Sequence, residues 1–194
     1  MVRPREFDRD EVLDRAMRVF WEKGYAATST DDLLAAMNIG RQSLYNAFGD
    51  KRRLYLEALE RYQANSTSGH LGRLNGAASP LAGIEALLLG LIHDDDADRA
   101  LGCMGVNAIC EFGTTDPELP PLRAKVGPTL AKSLAARIRD GQARGEIDAT
   151  VNANEAAAFV QLTMQGIQLA ARAGTEPKAL KAMARFAVGR LKRR

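Results

Sequence analysis

The segment GRQSLYNAF, Gly40 to Phe48, crowds a guanidinium, two carboxamides, a hydroxyl and a phenol onto nine residues. These groups suit the edge and backbone of a nucleic-acid duplex. Arg41 matches the two acceptors of guanine, and Gln42 the acceptor and donor of adenine. Ser43 and Tyr45 are suited to donate to phosphate oxygens, which positions a protein without reading sequence. Lys51, one residue into the next expected helix, could hold an adjacent phosphate together with the free N–H groups of that helix start. Thr28, Ser29 and Thr30 form a similar cluster that could grip the backbone across the groove. On residue chemistry alone, a solvated corner between two ordinary helices competes with this reading.

A second constellation lies in GCMGVNAICEFG, Gly102 to Gly113. Asn107 stands four residues after Cys103, and Cys110 and Glu111 stand three and four residues after Asn107, so an unbroken helix would carry all four on one side. A thiolate at Cys103 could act as a covalent sensor. The competing reading is structural, because free cysteine packs as a small hydrophobe. Within one helix the two cysteines stand about 10.5 Å apart in rise, too far to bridge. His70 and His93, read as surface or loop residues, have no ligand spacing with them, so no metal site is expected. No cofactor loop appears, and no nucleophile has a base at recognisable spacing. A helical enzyme is therefore the remote alternative.

The elements that must hold these groups are helical nearly throughout. The chain has 194 residues, 46% hydrophobic and 26% charged, which is enough to bury a real core and too apolar for a disordered chain. No window has the run of apolar residues that a membrane helix needs, and no secretory leader opens the chain, so a cytoplasmic protein without membrane contact is expected. The net charge of +3 says little, since residues 1 to 62 hold eleven bases and eleven acids. Placement, not total charge, must carry any nucleic-acid argument. The tail after Glu176 is basic, from Lys178 to Arg194, and reads first as a solvated helix end.

Periodicity predicts a first helix from Asp8 to Lys23, stopped by Gly24. A second starts at Ser29, where Ser29 and Asp32 have capping-box spacing, and ends at Asn38. Arg41 to Phe48 forms the third, with Leu44 and Phe48 turned inward. The fourth starts at Asp50 and runs to about residue 66, where STSGHLGRLNGAAS reads as the weakest joint in the chain. Further helices are expected near 79 to 93, 100 to 114, 120 to 144, 154 to 173 and 176 to 192, about nine in all. The short turn between the second and third helices is that of a helix-turn-helix. An all-α fold follows, with a DNA-binding domain over residues 1–50, a ligand-binding and dimerisation domain over 51–194, and helix 50–66 as connector.

The stretch from Gly24 to Leu59, GYAATSTDDLLAAMNIGRQSLYNAFGDKRRLYLEAL, resembles the DNA-binding region of the TetR family of one-component transcriptional regulators. Gly24 with Tyr25, the Thr28 and Ser29 pair, Leu44 with Tyr45, Phe48, and Lys51 followed by Leu54 carry the resemblance. It implies an all-helical homodimer that binds a double-stranded, palindromic operator, usually a repressor released by a small-molecule effector; an activator would use the same head. Base reading would fall on Arg41, Gln42 and Asn46, and phosphate contact on Thr28, Tyr45 and Lys51. Asn38 and Gly40 depart from the glycine and serine common there, but both tolerate the turn.

Beyond the head, the segment from Gly102 resembles a subgroup of that family with a Gly-Cys-Leu or Gly-Cys-Met start, some of whose members respond to electrophiles or oxidants. An effector cavity is expected among the middle helices, with Met104, Asn107, Glu111, Phe112, Phe159, Thr163 and Gln165 as candidate lining. The last two helices carry Leu162, Leu169, Leu180, Met183 and Phe186. These are expected to build a two-fold interface rather than an internal helix pair, because two reading heads need a partner.

Overall fold

In the computed structural model, residues 7–193 are described, and the expected tail residue Arg194 lies outside them. Ten helical segments are present among the described residues, counting one of six residues. The first, α1 (Arg9–Ala27), starts at Asp8, whose carboxylate accepts the N–H groups of Asp10 and Glu11. It buries Val12, Leu13, Ala16 and Phe20. Gly24, at φ 78°, kinks the helix but does not end it, and one more turn follows.

Helix α2 (Thr30–Met37) opens with the expected reciprocal capping box between Ser29 and Asp32. Asn38 closes it at φ 53°, a left-handed conformation that asparagine tolerates. Helix α3 (Arg41–Phe48) buries Leu44 and Phe48 and ends at Gly49. Asp50 then caps α4 (Lys51–Gly76).

The joint expected after residue 66 is absent, because α4 continues through it to Gly76. Packing against α5 (Pro80–Leu89) overrides the local weakness. Leu74 is fully buried, and a Cβ on Gly83 would stand 2.2 Å from its carbonyl oxygen. The two helices therefore approach more closely than a larger residue at 83 would allow.

The expected single helix over 100 to 114 is divided. A short α6 (Asp96–Leu101) ends at Gly102, at φ 60°, and α7 (Met104–Phe112) begins after Cys103. A Cβ on Gly102 would meet the Gln168 carbonyl oxygen at 3.0 Å, so close contact with a later helix sets this break. Cys103 is thus the residue before α7 and does not share a helix face with Asn107, Cys110 and Glu111.

Helices α8 (Leu119–Ala143), α9 (Ala153–Arg172) and α10 (Pro177–Gly189) complete the body. One hydrophobic cluster joins α1 to α4 with Met104, Ala108, Leu119 and Leu122; a second joins the end of α4 to α5, α8, α9 and α10. Helix α4 contributes to both, through Leu54 to Tyr62 and through Leu74. In the basic tail, Lys181 pairs with Asp94 at 2.8 Å and Arg185 with Glu85 at 3.7 Å. No described helix is long and apolar enough to cross a membrane.

Candidate nucleic-acid interface and internal cavity

The buried side of α3 is held by Leu44 and Phe48 against the first hydrophobic cluster. That anchoring turns Arg41, Gln42, Tyr45 and Asn46 outward, where all four are exposed. Arg41 Nη2 donates to Asp31 Oδ1 at 2.6 Å, an exposed pair linking the starts of α2 and α3. Gln42 Nε2 donates to Asn46 Oδ1 at 3.0 Å, one helical turn on. Arg41 is thus held by α2, and Gln42 and Asn46 by each other. Ser43 is half-buried beside them.

The expected phosphate cluster is only partly available. Thr28 is buried at 1% exposure, and its hydroxyl donates to the Gly24 carbonyl, so it braces the kink of α1 and faces no solvent. Ser29 is exposed but its hydroxyl is engaged with Asp32 in the capping box; Thr30 is half-buried. Lys23 Nζ holds the other Asp32 oxygen at 2.6 Å, and these bonds keep the carboxyl well below its usual range. Lys51 is half-buried with its ammonium 4.3 Å from the Tyr25 ring centroid. Arg52 turns away toward Asp116 and Glu118, tying the start of α4 to the start of α8.

A cavity of about 240 Å³ opens between α4, α7, α8 and α9. Tyr62, Ser66 and His70 face it at four-residue spacing from α4, with Cys103, Val106 and Ile109 from the start of α7. Arg123 and Leu130 come from α8, and Gln161, Met164, Gln165 and Gln168 from α9. A second chamber of about 260 Å³ adjoins it and shares Tyr62, Ser66, His70 and Gln168, with Trp21 and Met17 of α1 on its far side. Burial pushes the Tyr62 hydroxyl up, and the adjacent Cys103 thiol, its hydrogen-bond partner, adds to the effect. His70 is held at about 4, chiefly by burial and then by the Arg73 guanidinium, so it is neutral near pH 7. Its Nε2 meets Ser66 Oγ at 3.1 Å, while Nδ1 is buried without a partner.

Among the residues expected around a cavity, Gln165 lines it. Met104 is packed in the first hydrophobic cluster and Phe112 against Tyr25 and Tyr55. Asn107 Nδ2 donates to the Leu101 carbonyl at 3.1 Å, and Glu111 accepts from the backbone of α1. Phe159 is exposed, and Thr163 donates to the Phe159 carbonyl. The lining that sequence reasoning missed comes first from α4, with further residues from α7, α8 and α9. The four-residue spacing of Tyr62, Ser66 and His70 was a usable signal, hidden by reading the stretch after 66 as a joint. His70 is accordingly a half-buried helix residue and not a loop histidine.

Leu162, Leu169, Met183 and Phe186 are exposed along α9 and α10, Leu162 at 67%, with Phe159 beside them. Leu180 is 3% exposed and belongs to the second hydrophobic cluster, so it packs within the subunit. Cys110 is exposed and Cys103 half-buried.

Comparison with known proteins places these features in a lineage. The family model described as bacterial regulatory proteins, tetR family, matches residues 12–58, and the tetracyclin repressor-like C-terminal domain matches residues 81–187. The chain is 32% identical over 190 residues to the HTH-type transcriptional repressor ComR of Escherichia coli (strain K12), covering 94% of this chain and 88% of that one. It is 39% identical over 120 residues to the HTH-type transcriptional regulator YezE of Bacillus subtilis (strain 168); that match covers 61% of this chain and 62% of the relative, less than two thirds of its length. Among solved structures, a cysteine-substituted form of the TetR family regulator CifR complexed with 26-bp double-strand operator DNA superposes with a TM-score of 0.80. Its identity is 32%, over 97% of this chain and 99% of that one.

Proposed function

This chain belongs to the TetR family of bacterial regulatory proteins, and from that premise we propose that it is a homodimeric repressor, released from a palindromic operator by a small-molecule effector. As a member of that family it is a DNA-binding transcriptional regulator and not an enzyme. The observation that carries the proposal is the division of α3. Leu44 and Phe48 are buried, while Arg41, Gln42, Tyr45 and Asn46 face outward from a rigid support. Arg41, Gln42 and Asn46 read base edges; Tyr45, Ser43, Ser29, Thr30 and Lys51 engage phosphates, Lys51 after leaving the Tyr25 ring. Thr28 acts only through the backbone it braces. Such a regulator works in the cytoplasm.

The exposed apolar stripe of α9 and α10 supports pairing of two subunits through a self-complementary helical face. The cavity supports an effector site, and its position supports coupling. Trp21 of α1 meets the cavity residue Tyr62 edge-to-face at 4.8 Å between ring centroids, and its Nε1 donates to the Gly102 carbonyl at 3.2 Å, next to Cys103. An effector that favours another arrangement of α7 would therefore shift α1 and the spacing of the heads. Fluorescence anisotropy against the upstream intergenic DNA and a scrambled duplex, at near-physiological salt, tests the reading. Strong preference for one duplex is expected; equal affinity there and in a random-library selection would overturn it.

One observation favours a second mode of release. Cys103 lines the cavity, where its sulfur could add to the C=C bond of an α,β-unsaturated carbonyl compound: an S–C bond forms, the C=C π bond opens, and the thiol proton ends on the α-carbon. Cys103→Ser would then keep operator binding and lose release by such a compound; unchanged release would rule this mode out.

A further inference from the structure

The charges around the cavity point to a class of effector. Among the described residues of its lining, Arg123 alone carries a formal charge near pH 7, and none is an acid. Among the described residues, Arg123 has no carboxylate or carbonyl partner, although it is half-buried. That is unusual among the described residues, whose other half-buried arginines Arg9, Arg52, Arg61 and Arg137 are each paired with a carboxylate. A guanidinium partly removed from water, with no counter-charge, favours an anion and opposes a cation. The other polar groups of the lining are neutral and directional, among them the carboxamides of Gln63, Gln161, Gln165 and Gln168, and His70 with its unbonded Nδ1. Val106, Ile109, Leu130 and Met164 supply an apolar wall.

Resting on the effector reading above, we propose that the cavity takes a monoanionic amphiphile, its carboxylate paired with Arg123 and its hydrocarbon body against Val106, Ile109, Leu130 and Met164. One guanidinium balances one negative charge. A dianion would leave a charge uncompensated in a partly enclosed site, and an ammonium would face Arg123 with no acid to hold it. The volume of about 240 Å³ admits a chain of moderate length. The carboxamides have both donors and acceptors, so they orient the ligand without selecting its charge.

Calorimetric titration of the intact protein with octanoate, octanamide and octylammonium tests this. Fluorescence of Trp21, the one tryptophan, is followed in parallel beside the cavity wall. Octanoate is expected to bind at least tenfold more tightly than octanamide, and octylammonium weakest. Arg123→Gln should erase the preference for octanoate over octanamide, and Arg123→Lys, which keeps the charge, should retain part of it. Gly127 lines the same cavity and a Cβ there meets nothing within 4 Å, so the backbone accepts a side chain at this position; the larger Gly127→Leu should occupy the cavity and block all three probes.

If octanamide binds as well as octanoate, if octylammonium binds best, or if Arg123→Gln leaves octanoate unchanged, the anion assignment fails. Binding that Gly127→Leu blocks would still leave the effector cavity intact in each of those cases. If no probe binds at millimolar concentration, or Gly127→Leu changes nothing, the cavity is not an amphiphile site and both readings of it fall.

Discussion

The Glu111 carboxylate accepts the Ala26 backbone N–H at 2.7 Å, and its second oxygen accepts the Tyr25 N–H at 3.0 Å. A residue at the end of α7 thereby holds the last turn of α1, past the kink at Gly24. Glu111→Ala is expected to lose about 1.5 kcal/mol of stability, the lower end of the range for hydrogen bonds to charged groups, because both bonds are exposed. Amide exchange should rise at Tyr25 and Ala26 and stay unchanged in α10. Unaltered exchange at those two amides would show that other contacts hold the turn.

Thr28→Val should behave as a packing change. The buried hydroxyl donates to the Gly24 carbonyl, and its loss leaves that acceptor unpaired, at a cost of about 1–3 kcal/mol. Thermal unfolding should report the loss. The salt dependence of operator binding should keep its slope, whereas loss of a phosphate contact would reduce it by about one.

Arg41→Ala is expected to weaken binding to the preferred operator by about 1–3 kcal/mol and to affect a scrambled duplex far less. Because Arg41 is paired with Asp31 in the free protein, that pair must open before a base can be reached. Anisotropy on both duplexes separates the two roles, and an equal loss on each would indicate phosphate contact.

Leu162→Glu places a charge on the most exposed large apolar residue of the α9 and α10 stripe. Sedimentation should show a monomer that retains its helical content, with operator affinity strongly reduced. A variant that still sediments as a dimer would move the interface elsewhere. Leu180→Ala, by contrast, should cost about 2–5 kcal/mol of subunit stability, as expected for a core leucine.

His70 gives stability a pH dependence. Its folded-state pKa of about 4 lies below the ordinary 6.5, so the unfolded chain takes up a proton that the folded one refuses. The contribution is complete above about pH 6.5 and is lost as pH falls toward 4. With partial exposure discounted, the loss is on the order of 1 kcal/mol. Chemical denaturation across that window should show the slope in the native chain and a flatter profile in His70→Gln.

The sequence by itself determined α3 and the elements around it, because their signals act over a few residues. Ser29 and Asp32 close a capping box within four positions, Asn38 and Gly49 satisfy the turns beside them, and Leu44 with Phe48 sets which side of α3 is buried. Only the tertiary structure decided what distant elements impose. The small residues after 66 look like a joint, yet α4 continues because Leu74 is buried where α5 comes close at Gly83. Gly102 breaks a helix whose periodicity runs on, because α9 leaves no room for a side chain, and that break puts Cys103 on the cavity wall. Leu180 was drawn inward, and Glu111 toward α1, by partners far away in the chain, whereas Thr28 turned to a carbonyl four residues back. Local hydrogen bonding and periodicity were therefore legible, whereas burial depends on which helices meet, and spacing along one helix does not encode its neighbours.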